Sequence, residues 1–331
     1  MTDGFPSLAA DAERWIAELH DDVTAFFRRA DGGGAFTEER WTRPSGGGGV
    51  TRVMHDGVTF EKVGVNRSAV AGELERGTGA PMGLSADLPA GTRFFATGVS
   101  VVAHPRSPMV PTVHLNVRYF EVMTADGTPT DAWFGGGTDL TPYYPFAEDA
   151  AHFHTELHRV CSAHHPEFYG TFKPWCDRYF VNSHRHGEAR GVGGIFFDQL
   201  RPASAGGLTH RDLMAFADAV GRVLPAAYGT IIDRRRALPY GERERRFQLY
   251  RRGRYVEFNL LHDRGTLFGL KTGARVESVL MSLPPLACWD EAPALTPGSF
   301  EARLTEMLQP RDWLQNAEPA VNDVAMLATA R

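Results

Sequence analysis

Apolar residues recur at helical spacing at the start of the chain. Leu8, Ile16, Leu19, Val23 and Phe27 share one face, and Ser7 stands where an N-cap belongs, so the pattern predicts a helix over 7–30. Between 93 and 140 the period falls to two. Residues 94–104 are β-rich, 112–123 alternate apolar and polar, and Trp133-Phe134 runs into Gly135-Gly136-Gly137-Thr138-Asp139-Leu140. Helices are predicted over about 146–165 and 166–182, then a short apolar strand over 193–200. Thr209 with Asp212 three residues on reads as a capping box opening a helix to about Arg236. Runs at 246–251 and 254–262 flank Arg252-Gly253 and predict a hairpin; further short strands are expected at 266–270 and 277–283, before Pro284-Pro285. Residues 298–331 read as a terminal helix and a tail. Hairpins mixed with blocks of helix predict an α+β fold with a largely antiparallel sheet. With no repeat and no linker, residues 1–331 are expected to form a single domain with 314–331 as its tail.

Two glycine clusters interrupt this pattern, Gly32-Gly33-Gly34 and Gly46-Gly47-Gly48-Gly49. The second is costly to order and reads either as a plain loop or as a mobile cover that lets backbone approach a ligand; Arg43 and Arg52 flank it.

Composition narrows the function. The chain has 331 residues, 43% hydrophobic and 23% charged, so it can build a large core and is not disordered; a net charge of -5 argues against a nucleic-acid footprint. Of 35 basic Lys+Arg residues only Lys62, Lys173 and Lys271 are lysines, and arginine forks pair well with carboxylates. Cys161, Cys176 and Cys288 are odd in number and far apart, which excludes a disulfide framework and a local iron–sulfur motif and suggests a reducing compartment. The first residues lack a basic and apolar leader, and no stretch is apolar enough to span a bilayer, so a cytoplasmic protein without integral membrane contact is expected. There is no GxGxxG after a strand and no P-loop lysine.

The most informative stretch is Val113-His114-Leu115-Asn116-Val117-Arg118-Tyr119. As a strand it puts His114, Asn116 and Arg118 on one face. Either that face meets water, or it lines a polar cavity, because an imidazole, an amide and a guanidinium are expensive under a covering helix. Asp263-Arg264-Gly265 and Lys271-Thr272-Gly273-Ala274-Arg275 are turns that also carry charge. Among the 13 histidines, His104, His114, His154 and His184 would make a metal site only if the fold gathered them; there is no HExxH.

Taken together, Ser100-Val101-Val102-Ala103-His104-Pro105, the His114–Arg118 stripe, Trp133 to Pro142, Gly241 to Tyr255 and Asp263-Arg264-Gly265-Thr266 resemble the oxygen-dependent coproporphyrinogen III oxidase family, over about 26–313. Ala274 replaces the glycine common in that family, and the tail after Trp313 is longer. The resemblance implies a broad antiparallel sheet flanked on both faces by helices, and a homodimer joined through about 255–289. It implies aerobic oxidative decarboxylation of two propionates of coproporphyrinogen III to vinyl groups, giving protoporphyrinogen IX, CO2 and H2O2, with O2 as co-substrate and no organic cofactor. His114, Asp263 and Arg264 are then the expected catalytic residues, and Ser100, Asn116, Val117, Arg118, Gly273, Ala274 and Arg275 the substrate-binding ones. A divalent cation (Mn, Fe or Zn) on His104, His114, His154 and His184 is a further expectation, and Gly46–Gly49 becomes an expected lid. Two other readings are a non-catalytic tetrapyrrole carrier and a metal-dependent hydrolase or oxygenase built on the histidines. The radical enzyme that forms the same product without O2 would need clustered cysteines.

Overall fold

A computed structural model describes residues 5–44, 46–74, 84, 87–271, 275–290 and 295–315. Helix α1 (Ala9–Asp31) leads into six antiparallel strands: β1 (Phe36–Thr42), β2 (Gly47–His55), β3 (Phe60–Glu73), β4 (Arg93–Pro105), β5 (Thr112–Met123) and β6 (Pro129–Thr141). Then come α2 (Ala147–His164), α3 (Phe168–Tyr179), the small hairpin β7 (Val181–Asn182) and β8 (Glu188–Ala189), and β9 (Gly194–Leu200). The chain continues through α4 (His210–Gly221), α5 (Thr230–Arg235), α6 (Glu242–Leu261), α7 (Arg264–Lys271), α8 (Val276–Leu280) and α9 (Phe300–Met307). The main sheet has seven strands in the order β1-β2-β3-β4-β5-β6-β9, a meander closed by one returning strand.

Alternation decides which face of this sheet is core. Val99, Val101, Val113, Leu115, Val117 and Tyr119 are fully buried beneath α1 and α4. Their alternates Ser100, His114, Asn116 and Arg118 face the other way and are half-buried. A one-residue slip of β5 would drive Asn116 into the core unpaired, at about 1–3 kcal/mol, and turn Leu115 to the polar side. The apolar stripe of α1 packs as its spacing predicts: Ile16, Leu19, Val23 and Phe27 are all buried. Ser7 is not the cap of α1, whose N-cap position is Leu8 without a side-chain bond, although the Ser7 hydroxyl accepts the Ala9 N–H at 3.2 Å; the Thr209–Asp212 capping box opens α4.

Several expectations are overturned. Residues 246–262 form no hairpin; Arg246 to Leu261 lie within the single helix α6 and His262 caps its end. Arg252 is fully buried and donates to Glu61 (2.5 Å) and to the Pro105 carbonyl (2.8 Å), so a helix face that reads as polar is interior. Gly253 stands mid-helix because the Cys288 carbonyl crosses it: a Cβ there would lie 2.6 Å from that oxygen. The strands expected at 266–270 and 277–283 are replaced by α7 and α8. The helix expected to reach Arg236 breaks after Gly221 into a wide turn at Pro225–Gly229 before α5.

The glycine lid is also overturned. Gly47, Gly48 and Gly49 lie in β2 opposite Val70, Ala69 and Ser68 of β3, and Gly48 and Gly49 also face Thr42 and Trp41 of β1. Gly49 serves packing instead: a Cβ there would meet the Trp41 indole at 2.3 Å, so glycine lets that ring lie across the sheet.

Candidate active site

Sheet register builds a polar strip on the face away from α1. Asn116 lies opposite Ser100 of β4 and Gly137 of β6; Ser100 faces Asn66 of β3, and Asn66 faces Thr51 of β2. In the adjoining row Arg118 lies between Gly98 and Gly135. A Cβ on Gly135 would stand 2.7 Å from the Arg118 guanidinium, so only glycine lets that side chain lie flat along the sheet. Arg118 donates to Asn116 (2.7 Å) and to Asp198 of β9 (2.7 Å) while its side chain stays 37% exposed. The amide of Asn116 donates to the Val99 carbonyl at 3.1 Å, which fixes its oxygen toward Arg118.

The junction of α6 and α7 closes one end of the strip. Asp263 accepts the Thr266 N–H (2.7 Å) and hydroxyl (2.8 Å), the bonds of a helix cap, and its other oxygen accepts the Tyr179 hydroxyl at 3.0 Å. The Tyr179 oxygen accepts the Arg264 N–H at 3.1 Å. Burial, with the neighbouring Asp263 charge, pushes the Tyr179 phenol up to about 12, so it stays a donor. The Arg264 guanidinium lies 5.0 Å over the Tyr179 ring and 3.8 Å from Asp198, which Arg118 also binds. Arg118, Asp198, Arg264, Tyr179 and Asp263 are thus one connected group.

Arg275 marks the other end, just before α8. It pairs with Glu39 (2.6 Å) and reaches Ser278 (3.5 Å); Ser278 bonds Thr51 (2.9 Å), which donates to Asn66 (2.7 Å). Three guanidinium groups therefore border one strip of amides, hydroxyls and glycines.

His114 belongs to the same face. Its Nδ1 lies 2.8 Å from Asp139, and Asp139 takes two bonds of 2.7 Å from a single nitrogen of Arg190. Burial alone would raise the Asp139 carboxyl, but the Arg190 charge and the His114 bond outweigh it and hold it below the usual range. Arg190 donates to Asn259 (2.9 Å) and sits among the Phe180, Tyr255 and Phe258 rings, 4.2–4.8 Å from their centres.

The structure does not gather the four candidate metal ligands. His104 is fully buried, with its ring nitrogens 2.8 Å from the Ser282 carbonyl and 3.3 Å from the Thr112 hydroxyl. In His154 both ring nitrogens are bonded, to Tyr169 (2.9 Å) and the Val192 carbonyl (3.0 Å), and burial pulls its pKa down to about 3. His184 bonds His262 (2.7 Å) and Glu257 (2.9 Å). Among the described residues no three His, Cys, Asp or Glu side chains are placed to hold a metal ion. This arrangement does not fit a divalent cation: His104, His154 and His184 each spend both ring nitrogens on protein partners, and among the described residues His114 alone of the four keeps one nitrogen unbonded.

Of the other expected residues, Ser100, Asn116, Arg118, His114, Asp263, Arg264 and Arg275 are brought to this face. Val117 is not: its side chain is fully buried in the opposite core. Gly273 and Ala274 lie outside the described residues. Sequence reasoning missed Asp139, Arg190, Tyr179 and Asp198. Asp139 stood inside the glycine-rich motif, but only the β5–β6 register reveals His114 as its partner.

An antiparallel sheet with one face covered by an apolar core and the other carrying glycines, amides and three guanidinium groups offers charge-assisted pairing to carboxylates. The sequence profile described as coproporphyrinogen III oxidase matches residues 11–313. A protein of Parasynechococcus marenigrum (strain WH8102) named oxygen-dependent coproporphyrinogen-III oxidase is 47% identical over 331 aligned residues, covering 93% of this chain and 88% of that protein. The chain belongs to the coproporphyrinogen III oxidase family.

Proposed function

We propose that the chain catalyses the oxygen-dependent decarboxylation of the propionates on rings A and B of coproporphyrinogen III. Each propionate loses CO2 and two hydrogens to become a vinyl group, and O2 takes up the two hydrogens as H2O2. Protoporphyrinogen IX is the product of two such rounds, in tetrapyrrole biosynthesis. The observation that carries this reading is the strip between Arg275 and Arg264 with Arg118 on its floor, since a substrate with four carboxylates is held by guanidinium forks. Asn116 and Ser100 supply hydrogen bonds. Asp263, held by Tyr179 and Thr266, is the base that faces a pyrrole N–H, and Arg264 balances its charge. His114 holds or accepts a proton beside it. Each propionate supplies the two electrons that reduce O2, passed through the electron-rich pyrrole that carries it, so O2 serves as co-substrate without an organic cofactor.

Purified protein treated with chelator is incubated with coproporphyrinogen III in air and under nitrogen, following the divinyl product and O2 consumption. Product in air alone is expected. No product in air, or equal product under nitrogen, refutes the reading and leaves a carrier or an O2-independent enzyme. Asp263→Asn and His114→Ala are each expected to lower turnover about 100-fold or more; near-normal turnover of both would refute their roles.

We also propose that the protein acts as a homodimer in the cytoplasm. Support comes from Leu261 and Trp289 (each 55% exposed) and Leu286 (56%), with Leu260, Leu270 and Val276 also exposed on α6–α8 and the segment that follows. Among the described residues no helix is long and apolar enough to cross a membrane. Sedimentation of Leu261→Asp with Leu286→Asp should shift toward the monomer; an unchanged dimer would place the contact elsewhere.

A further inference from the structure

We infer that Asp139 and Arg190 are positioning residues that lock His114 as the Nδ1–H tautomer and so leave a bare Nε2 lone pair on the face of the polar strip. Donor capacity decides the tautomer. A guanidinium only donates, and one Arg190 nitrogen contacts both Asp139 oxygens at 2.7 Å. An ionised Asp139 only accepts, so the hydrogen in its 2.8 Å contact with His114 belongs to Nδ1. A neutral imidazole carries one N–H, which leaves Nε2 as an acceptor. Among the described residues Nε2 has no protein partner, and the side chain is 22% exposed.

The ion pair itself needs a reason. Asp139 and Arg190 are 1% and 2% exposed, and the Arg190 Nε is buried without a partner. Apolar residues of similar volume would fill this aromatic box at no greater cost to stability. What they would not do is dictate which ring nitrogen of His114 carries the hydrogen. The activity arm rests on the proposed function. The pyrrole N–H groups of a porphyrinogen are donors, so an acceptor Nε2 complements them and an Nε2–H opposes them.

Asp139→Asn separates this role from a merely structural one. Arg190 can hold the single oxygen of the new amide from either position, since its nitrogen touches both, but only an NH2 turned to His114 Nδ1 finds an acceptor. That forces the Nε2–H tautomer. The test records 1H–15N spectra of the full chain labelled on histidine nitrogen, with the His114 signals identified by their loss in His114→Gln. Wild type is expected as Nδ1–H and Asp139→Asn as Nε2–H, with kcat at least 100-fold lower and KM within threefold. In Asp139→Asn with Arg190→Met the carbonyl oxygen is free to turn back. His114 should then return to Nδ1–H, with kcat at least tenfold above the single variant. The double variant removes both buried charges together and carries the spectral test where the single one does not fold. An Nε2–H wild type, an Nδ1–H Asp139→Asn, or a folded double variant that is Nε2–H or no faster than the single one would each overturn the inference. A wild type that is Nδ1–H but consumes no O2 with coproporphyrinogen would uphold the lock and refute the oxidase reading.

Discussion

Replacing Arg118 by Gln tests whether the floor guanidinium grips the substrate. The change removes one charge-assisted pair to a propionate, about 1.5–3 kcal/mol, or roughly 10- to 150-fold in kcat/KM. The folded protein loses less. Asp198 is 20% exposed, keeps Arg264 at 3.8 Å and still accepts the Gln199 N–H at 3.0 Å. Asn116 keeps its bond to the Val99 carbonyl. A stability cost of at most about 1 kcal/mol follows, as for partly exposed ion pairs. Initial rates of divinyl product formation over a range of coproporphyrinogen at saturating O2 separate the terms. A propionate contact made both before and during reaction predicts that KM rises while kcat stays within about fivefold. Arg118→Lys keeps the charge but not the fork and should fall between the two. A folded Arg118→Gln enzyme with kcat/KM within twofold of wild type would show that this guanidinium does not hold substrate.

Gly135→Ala should mimic Arg118→Gln in KM, since a Cβ 2.7 Å from the guanidinium displaces it; unchanged KM would show that Arg118 need not lie flat. His154→Phe removes the partner of the buried Tyr169 hydroxyl, costing about 1–3 kcal/mol, while Trp313 still donates to the Val192 carbonyl at 3.2 Å. Its melting temperature should fall by a few degrees, with kcat of the folded enzyme and its bound metal content unchanged; loss of kcat together with a metal ion would restore this histidine as a ligand. Burial works against ionisation of Glu257, but bonds from Arg185 and His184 and the Arg254 charge hold its pKa down at about 2. A folded pKa below the unfolded value stabilises above the ordinary glutamate range, and the gain is lost as pH falls toward 2. Urea midpoints of wild type and Glu257→Gln should differ at pH 7 and converge near pH 2; a constant gap would exclude this linkage.

Local rules made part of this fold legible. The apolar stripe of α1 and the alternation of β5 are direct readings of burial, and the structure keeps both. The α+β class was drawn from hairpins mixed with blocks of helix, and it holds although the hairpin expected at 246–262 does not form. Strands β1 to β3 were not legible, because glycines in β2 and charges in β1 hide the alternation: Glu38, Glu39 and Arg40 are all exposed on an edge strand. Helix α6 was misread for the opposite reason. Its Arg251, Arg252 and Arg254 are buried against Glu188, Glu61 and Glu257, so the polar-out rule fails where ion pairs replace apolar packing.

The site divides along the same line. His114, Asn116 and Arg118 could be placed on one face because strand period alone fixes that relation. Asp139 and Asp198 could not, since they join it through pairings of β5 with β6 and β6 with β9 that no local pattern encodes, and Arg190 reaches Asp139 from the bend after β8. The strip is also where the chain breaks most rules of a stable sheet: glycines in central strands, a guanidinium laid across them, and a buried ion pair behind an imidazole. Each weakens or fails to improve the sheet as a scaffold. They cohere with the proposed substrate floor, where Gly135 makes room for Arg118, Asn116 and Asp198 hold Arg118 in place, and Asp139 bonds Nδ1 of His114.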